Sequence, residues 1–238
     1  MSKVLISGGS RGIGAALVRQ FASLGDDVAF IYRSDDESAR KLSLETGSYY
    51  IKADISDSAS AVSAFNTAVS LLDGLDILVC NAGISYVSQI CDTGDVDWKK
   101  IIDTNLSQAF YLTREASRVM VRNHYGRIIV VGSVWGRCGA SCEAAYSASK
   151  AGLRGLAMAL AKELGPSGIT VNCVEPGMID TDMNKCFTED DIKAVCDEIP
   201  AGRMGKPSEV ADLIAFLASD KASYINGQCI AIDGGWCI

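Results

Sequence analysis

The chain of 238 residues carries 22 Lys+Arg against 29 Asp+Glu, a formal net charge of −7, with 48% hydrophobic and 21% charged residues. That composition supports a well-filled core and excludes a disordered chain, while the acidity argues against a surface that tracks nucleic-acid phosphates. No apolar run reaches the roughly 18 residues of a membrane span, and the single histidine, His124, in a polar stretch, reads as a solvated loop residue rather than a triad base.

Short β-branched or aliphatic runs at 4–6, 28–32, 49–51, 77–80, 128–131, 170–174 and 229–232 predict strands. Between them, apolar residues recur at three- and four-residue spacing, as at 15–24, 62–72 and 151–164, which predicts helices. Alternating β and α units imply one α/β domain over 1–238, a doubly wound parallel sheet with helices on both faces. The polar, charged segment 181–203 includes a helix-like stretch at 190–199 and is expected to be a lid.

Nine cysteines form no C-x-x-C pair, and no secretory segment is evident near Met1, so reduced thiols in a cytoplasm and no metal site are expected. Cys138 and Cys142 fall in a predicted loop between Ser133 and Tyr146, which makes thiol oxidation there a liability. The others read as small apolar residues.

Directly after the first strand comes Ser7-Gly8-Gly9-Ser10-Arg11-Gly12-Ile13-Gly14, running into a helix. Glycines at such a turn let backbone approach a pyrophosphate, and the helix N-terminus supplies N–H donors. The spacing is G-x-x-x-G-x-G rather than the G-x-G-x-x-G fingerprint, and tight packing alone is the competing reading. At the end of the second strand, Arg33 precedes Asp35 and Asp36. Arg33 and Arg11 favour a ribose 2′-phosphate and hence NADP; the two aspartates keep NAD open but also suit a helix cap.

Tyr146 and Lys150 are four residues apart on a predicted helix, so they share a face. A nearby ammonium favours the phenolate and should draw the tyrosine pKa down toward neutrality, where Tyr146 can exchange a proton with a carbonyl oxygen. Ser133 follows the fifth strand and Asn81-Ala82-Gly83 the fourth, at the carboxyl ends where open α/β sheets bind ligands. Asn105 lies within a helical stretch, where its amide needs a partner.

With these pieces in this order, joined by Asp54-Ile55 and Pro176-Gly177-x-Ile179-x-Thr181, the chain resembles the short-chain dehydrogenase/reductase family over nearly its whole length. The resemblance implies a seven-stranded Rossmann-type fold, a homotetramer, and carbonyl reduction to an alcohol by NADPH. It assigns Tyr146 as proton donor, Lys150 to the nicotinamide ribose, Ser133 to the carbonyl, and Asn105 to a water relay toward Lys150. Asp54 would contact adenine, Asn81 and Gly83 border the adenosine ribose, and Ile179 and Thr181 contact the carboxamide. Ser10, Ile13, Ile55, Ala82, Pro176 and Gly177 complete the implied cofactor site.

The second half is similar to the 3-oxoacyl-thioester reductases of fatty acid biosynthesis, through Gly168-Ile169-Thr170-Val171-Asn172, Ile199-Pro200-Ala201-Gly202-Arg203 and Asp233-Gly234-Gly235. Relatives that use an acyl carrier protein dock it with basic residues flanking the site. His124 and Ser167 stand at those positions, and the −7 charge works against an acidic carrier. A further resemblance is to the reductases that finish a 5-aminopentanone modification on elongation factor P, carried by Ser133-Val134-Trp135-Gly136, Gly139-Ala140-Ser141-Cys142-Glu143 and Gly234-Gly235-Trp236. Trp135 and Glu143 would then face a substrate ammonium; alternatively Trp135 fills core space and Glu143 suits a helix start. A non-catalytic NADP-sensing protein is the remaining alternative, one that would be expected to have lost the Ser/Tyr/Lys set.

Overall fold

A computed structural model describes residues 1–184 and 187–237 of the chain. The chain runs β1 (Lys3–Ser7), α1 (Gly12–Ser23), β2 (Asp27–Tyr32), α2 (Asp36–Thr46), β3 (Tyr49–Lys52), α3 (Ser58–Leu72) and β4 (Ile77–Cys80). It continues through α4 (Asp95–Ile102), α5 (Gln108–Asn123), β5 (Gly126–Val131), α6 (Trp135–Cys138), α7 (Ala144–Leu164) and β6 (Ile169–Pro176). It then forms α8 (Glu189–Glu198), α9 (Pro207–Ala218) and β7 (Cys229–Ile232).

The seven strands make one parallel sheet in the order β3-β2-β1-β4-β5-β6-β7. The order turns about β1 and β4, so a crevice opens at their carboxyl ends, where open α/β sheets take ligands. β1, β4, β5 and β6 are buried on both faces, which is why they read as unbroken apolar runs rather than alternating ones.

Because successive strand residues point to opposite faces, two cores form. Leu5 faces Phe65, Leu112 and Leu153 of α3, α5 and α7, whereas Val4 and Ile6 face Leu17, Val18 and Phe21 of α1 and Val210 and Ile214 of α9. Full burial of such a side chain contributes about 1.5–3 kcal/mol.

Local signals set the helix ends. Asp35 caps α2 by accepting the Ser38 N–H at 3.0 Å, and Asp57 caps α3 in the same way at 2.8 Å. The helix expected at 190–199 is α8, started by a reciprocal Thr188–Asp191 capping box. His124 is exposed and ends α5 in the left-handed region, with φ +51°. Cys138 does not lie in a loop as expected: it closes the short helix α6. Of the expected lid at 181–203, positions 185 and 186, and with them Cys186, lie outside the described residues.

Candidate active site

The β1–α1 turn forms the floor of the crevice. Gly8 adopts φ +69°, and a Cβ there would stand 2.8 Å from the Ala82 Cα, so only glycine lets the two strand ends meet. Two partners hold the turn. The Ser7 hydroxyl accepts N–H bonds from Asn81 and Ala82, each at 3.1 Å, and the Asn81 side-chain amide donates to the Ser7 and Gly8 carbonyls at 3.1 and 3.0 Å. α1 has Arg11 at its N-cap, with no side-chain cap bond and no acidic residue in its first turn. Its free N–H groups open on the crevice, unlike those of α2 and α3, which aspartates occupy.

Further along, Arg11 and Arg33 are exposed at the rim, and neither has an ion-pair partner among the described residues. The neighbouring aspartates are committed elsewhere: Asp35 to its helix cap, Asp36 to the Tyr32 hydroxyl and the Lys52 ammonium. Asp54 accepts from the Ser56 N–H and hydroxyl, which with the Arg33 charge hold its carboxyl below the usual range. This end therefore offers two guanidinium cations with no ion-pair partner among the described residues, beside a fixed carboxylate.

At the other end stand Ser133, Tyr146 and Lys150, all buried and all lining the same cavity of about 650 Å³. Ser133 follows β5; Tyr146 and Lys150 share one face of α7. The Lys150 ammonium donates to the Val131 carbonyl at 2.9 Å and lies 5.5 Å from the Tyr146 ring centre. The expected fall in the Tyr146 pKa is reversed: burial pushes it up to about 12, the Ser133 hydroxyl pulls it back in part, and the Glu143 carboxylate raises it. Burial also pushes Lys150 down to about 8. At neutral pH the phenol is thus protonated, which is the state a proton donor to a carbonyl oxygen requires.

The expected cofactor and substrate positions line this one cavity, and the outlier is Asn105. It is fully buried in a single π-helical turn over Asp103–Ser107. Its Oδ1 accepts the Ile84 N–H at 2.8 Å, and its Nδ2 donates to the Ile84 carbonyl and Ser149 hydroxyl, each at 3.0 Å. The amide thus ties the loop after β4 to α7, and its neighbour Thr104 reaches the cavity instead.

Trp135 does not fill core space: it is half-buried against Trp236, with ring centres 4.7 Å apart, and both line the cavity. Trp236 was not among the sequence-derived site residues, because it lies 101 positions away in the chain. Glu143 occupies the N-cap of α7, yet its side chain makes no cap bond and has no polar partner among the described residues. Burial raises its pKa. From the segment 181–203, expected to be a lid, Thr181, Asn184, Phe187 and Val195 reach the cavity wall.

Two expectations need correction. His124 and Ser167 precede β5 and β6, at the amino ends of strands whose carboxyl ends carry Ser133 and Gly177. They lie about 20 Å, the length of a six-residue strand, from this chain's own cavity and do not flank it. Nor do all the remaining cysteines act simply as small apolar residues: Cys173 and Cys229 face each other across β6 and β7, beside Glu175. Arg154 pairs with that carboxylate, so its charge is already answered.

Comparison with known proteins agrees with this geometry. A family model described as enoyl-(acyl carrier protein) reductase matches residues 8–237. The chain belongs to the short-chain dehydrogenase/reductase family and is an oxidoreductase acting on CH–OH groups. It is 39% identical over 233 residues to the 3-oxoacyl-[acyl-carrier-protein] reductase FabG of Escherichia coli, covering 97% of this chain and 95% of that one. It is 40% identical over 232 residues to the 3-oxoacyl-[acyl-carrier-protein] reductase MabA of Mycobacterium tuberculosis (98% and 91%), and 37% identical over 235 residues to the Bacillus subtilis oxidoreductase YmfI (98% and 97%). A mutant Serratia marcescens short-chain dehydrogenase/reductase superposes with a TM-score of 0.92 at 37% identity, covering 99% of this chain and 97% of that one.

Proposed function

We propose that this protein is a cytoplasmic, NADPH-dependent reductase that converts a ketone, in the first instance a 3-oxoacyl thioester, to a secondary alcohol. The observation that carries it is the convergence of Ser133, Tyr146 and Lys150 on the cavity into which the uncapped start of α1 also opens. When bound, the nicotinamide supplies the hydride. The chain's own residues do the rest: Ser133 orients the carbonyl, Tyr146 gives its phenolic proton to the carbonyl oxygen, and Lys150 fixes the ribose and the local charge.

Arg11 and Arg33 support NADPH over NADH, because a 2′-phosphate would pair with guanidinium groups that have no ion-pair partner among the described residues. The resemblance to thioester reductases also supports a homotetramer. Among the described residues no helix is long and apolar enough to cross a membrane.

A second reading is a ketone carried on a protein lysine, such as the 5-aminopentanone adduct of elongation factor P. Glu143 favours it: a half-buried carboxylate on the cavity wall, without a polar partner among the described residues and beside the Trp135–Trp236 pair, suits a substrate ammonium. The test offers an acetoacetyl thioester and the aminopentanone-modified protein side by side, following NADPH consumption. Turnover of the thioester alone supports the first reading, and turnover of the adduct alone the second. Oxidation of NADPH by neither would overturn both.

A further inference from the structure

Cys138 closes α6 three residues after Trp135, and Cys237 follows Trp236. Their Sγ atoms stand 2.9 Å apart, within about 1 Å of a disulfide bond. Neither thiol hangs on a loose chain. The Cys138 N–H donates to the Val134 carbonyl at 3.0 Å, and the Cys237 N–H to the Asp233 carboxylate at 2.8 Å. The two thiols therefore meet beside the Trp135–Trp236 contact, each on the same short stretch of chain as one of the rings, and the Trp236 indole N–H reaches Glu198 of α8 at 3.4 Å. Cys91 and Cys142 are also exposed but have no second sulfur within bonding reach among the described residues.

We propose that Cys138 and Cys237 are a redox-responsive pair, oxidised by a peroxide to a disulfide that locks Trp135 against Trp236 at the substrate end of the cavity and hinders the ketone without loosening the cofactor. Burial, with the neighbouring sulfur, pushes the Cys237 thiol up to about 12, so exposed Cys138 meets the oxidant first. Its thiolate attacks one peroxide oxygen, the O–O bond breaks, and a sulfenic acid and one water result. Cys237, losing its proton, then attacks the Cys138 sulfur; the S–S bond forms as the sulfenic oxygen leaves as hydroxide and takes up that proton as a second water. Two thiols lose two electrons and the peroxide gains both. The glycine turn and Arg33 lie at the opposite end of the cavity, so dinucleotide affinity should be unaffected.

The experiment treats the reduced full-length enzyme with hydrogen peroxide, alkylates what remains, and maps the peptides by mass. The expected result is a Cys138–Cys237 cross-link two hydrogens lighter than the dithiol, with KM for the ketone raised about tenfold and the NADPH dissociation constant unchanged. Dithiothreitol should reverse both changes. Cys138→Ser and Cys237→Ser should each keep the reduced enzyme's activity and lose the response to peroxide. The proposal is overturned if both thiols stay alkylatable at peroxide levels that oxidise Cys91 and Cys142, if the cross-link forms and KM does not move, or if the serine variants respond like the parent.

Discussion

Lys150 and Tyr146 share one buried face of α7, the ammonium 5.5 Å from the ring centre and anchored on the Val131 carbonyl. Their protonation states follow from that burial, and the sign of the pH response can be worked out. Lys150 is lowered to about 8, so it is cationic below that pH and neutral above it; Tyr146, raised to about 12, stays protonated throughout. Ketone reduction should therefore hold steady near neutrality and fall as pH rises through about 8, while alcohol oxidation, which needs the phenolate, should climb toward alkaline pH. A pH–rate profile in both directions checks this; a reduction rate flat between roughly pH 6 and 10 would contradict it.

Tyr146→Phe removes the hydroxyl proposed as proton donor but keeps the ring that packs at the cavity wall. Turnover should fall by about 10²- to 10⁴-fold, the range for loss of a positioned acid. Cofactor affinity should hardly change, since the elements proposed to bind its phosphates lie in the β1–α1 turn. Titrating NADPH fluorescence alongside steady-state rates separates the two effects.

Much of this site was legible because topology decides it: in a parallel sheet, residues just past β1, β4, β5 and β6 must converge on one edge. The strand ends were less legible. Arg127 and Glu175 are polar yet pair in register with Thr170 and Ala231, and an apolar-run reading stops short of them. The side-chain couplings were hidden altogether. Nothing in local spacing shows that Asn105 ties the Ile84 loop to Ser149, or that Trp236 meets Trp135. The tyrosine pKa departs from the expectation for a related reason: desolvation depends on packing from several elements, whereas the i, i+4 spacing shows only the ammonium.

Arg33 stands at the cavity rim with no ion-pair partner among the described residues, while Asp35 and Asp36 are bound to other groups. Arg33→Ala should weaken NADPH by about 10- to 100-fold, the value of one charge-assisted contact to phosphate, and leave NADH nearly unchanged. Comparing KM for the two cofactors in parent and variant measures it. An equal loss on both would remove the 2′-phosphate role.

Arg154 on α7 pairs with Glu175 on β6, and the two are unequally exposed: the Arg154 side chain is 29% accessible, that of Glu175 only 1%. Glu175 Oε2 has no hydrogen-bond partner among the described residues, and besides a long contact from the Cys173 thiol to Oε1, Arg154 is the group that compensates the buried charge. Arg154→Leu strands that carboxylate and should cost about 3 kcal/mol of stability. Glu175→Leu should cost less, because the freed guanidinium can turn to water. Replacing both with leucine should come within about 1 kcal/mol of the parent, since desolvation offsets most of what a buried pair gains. Urea unfolding of the three variants gives the order; a double variant no more stable than Arg154→Leu would mean that the pair itself, rather than the stranded charge, holds α7 to the sheet.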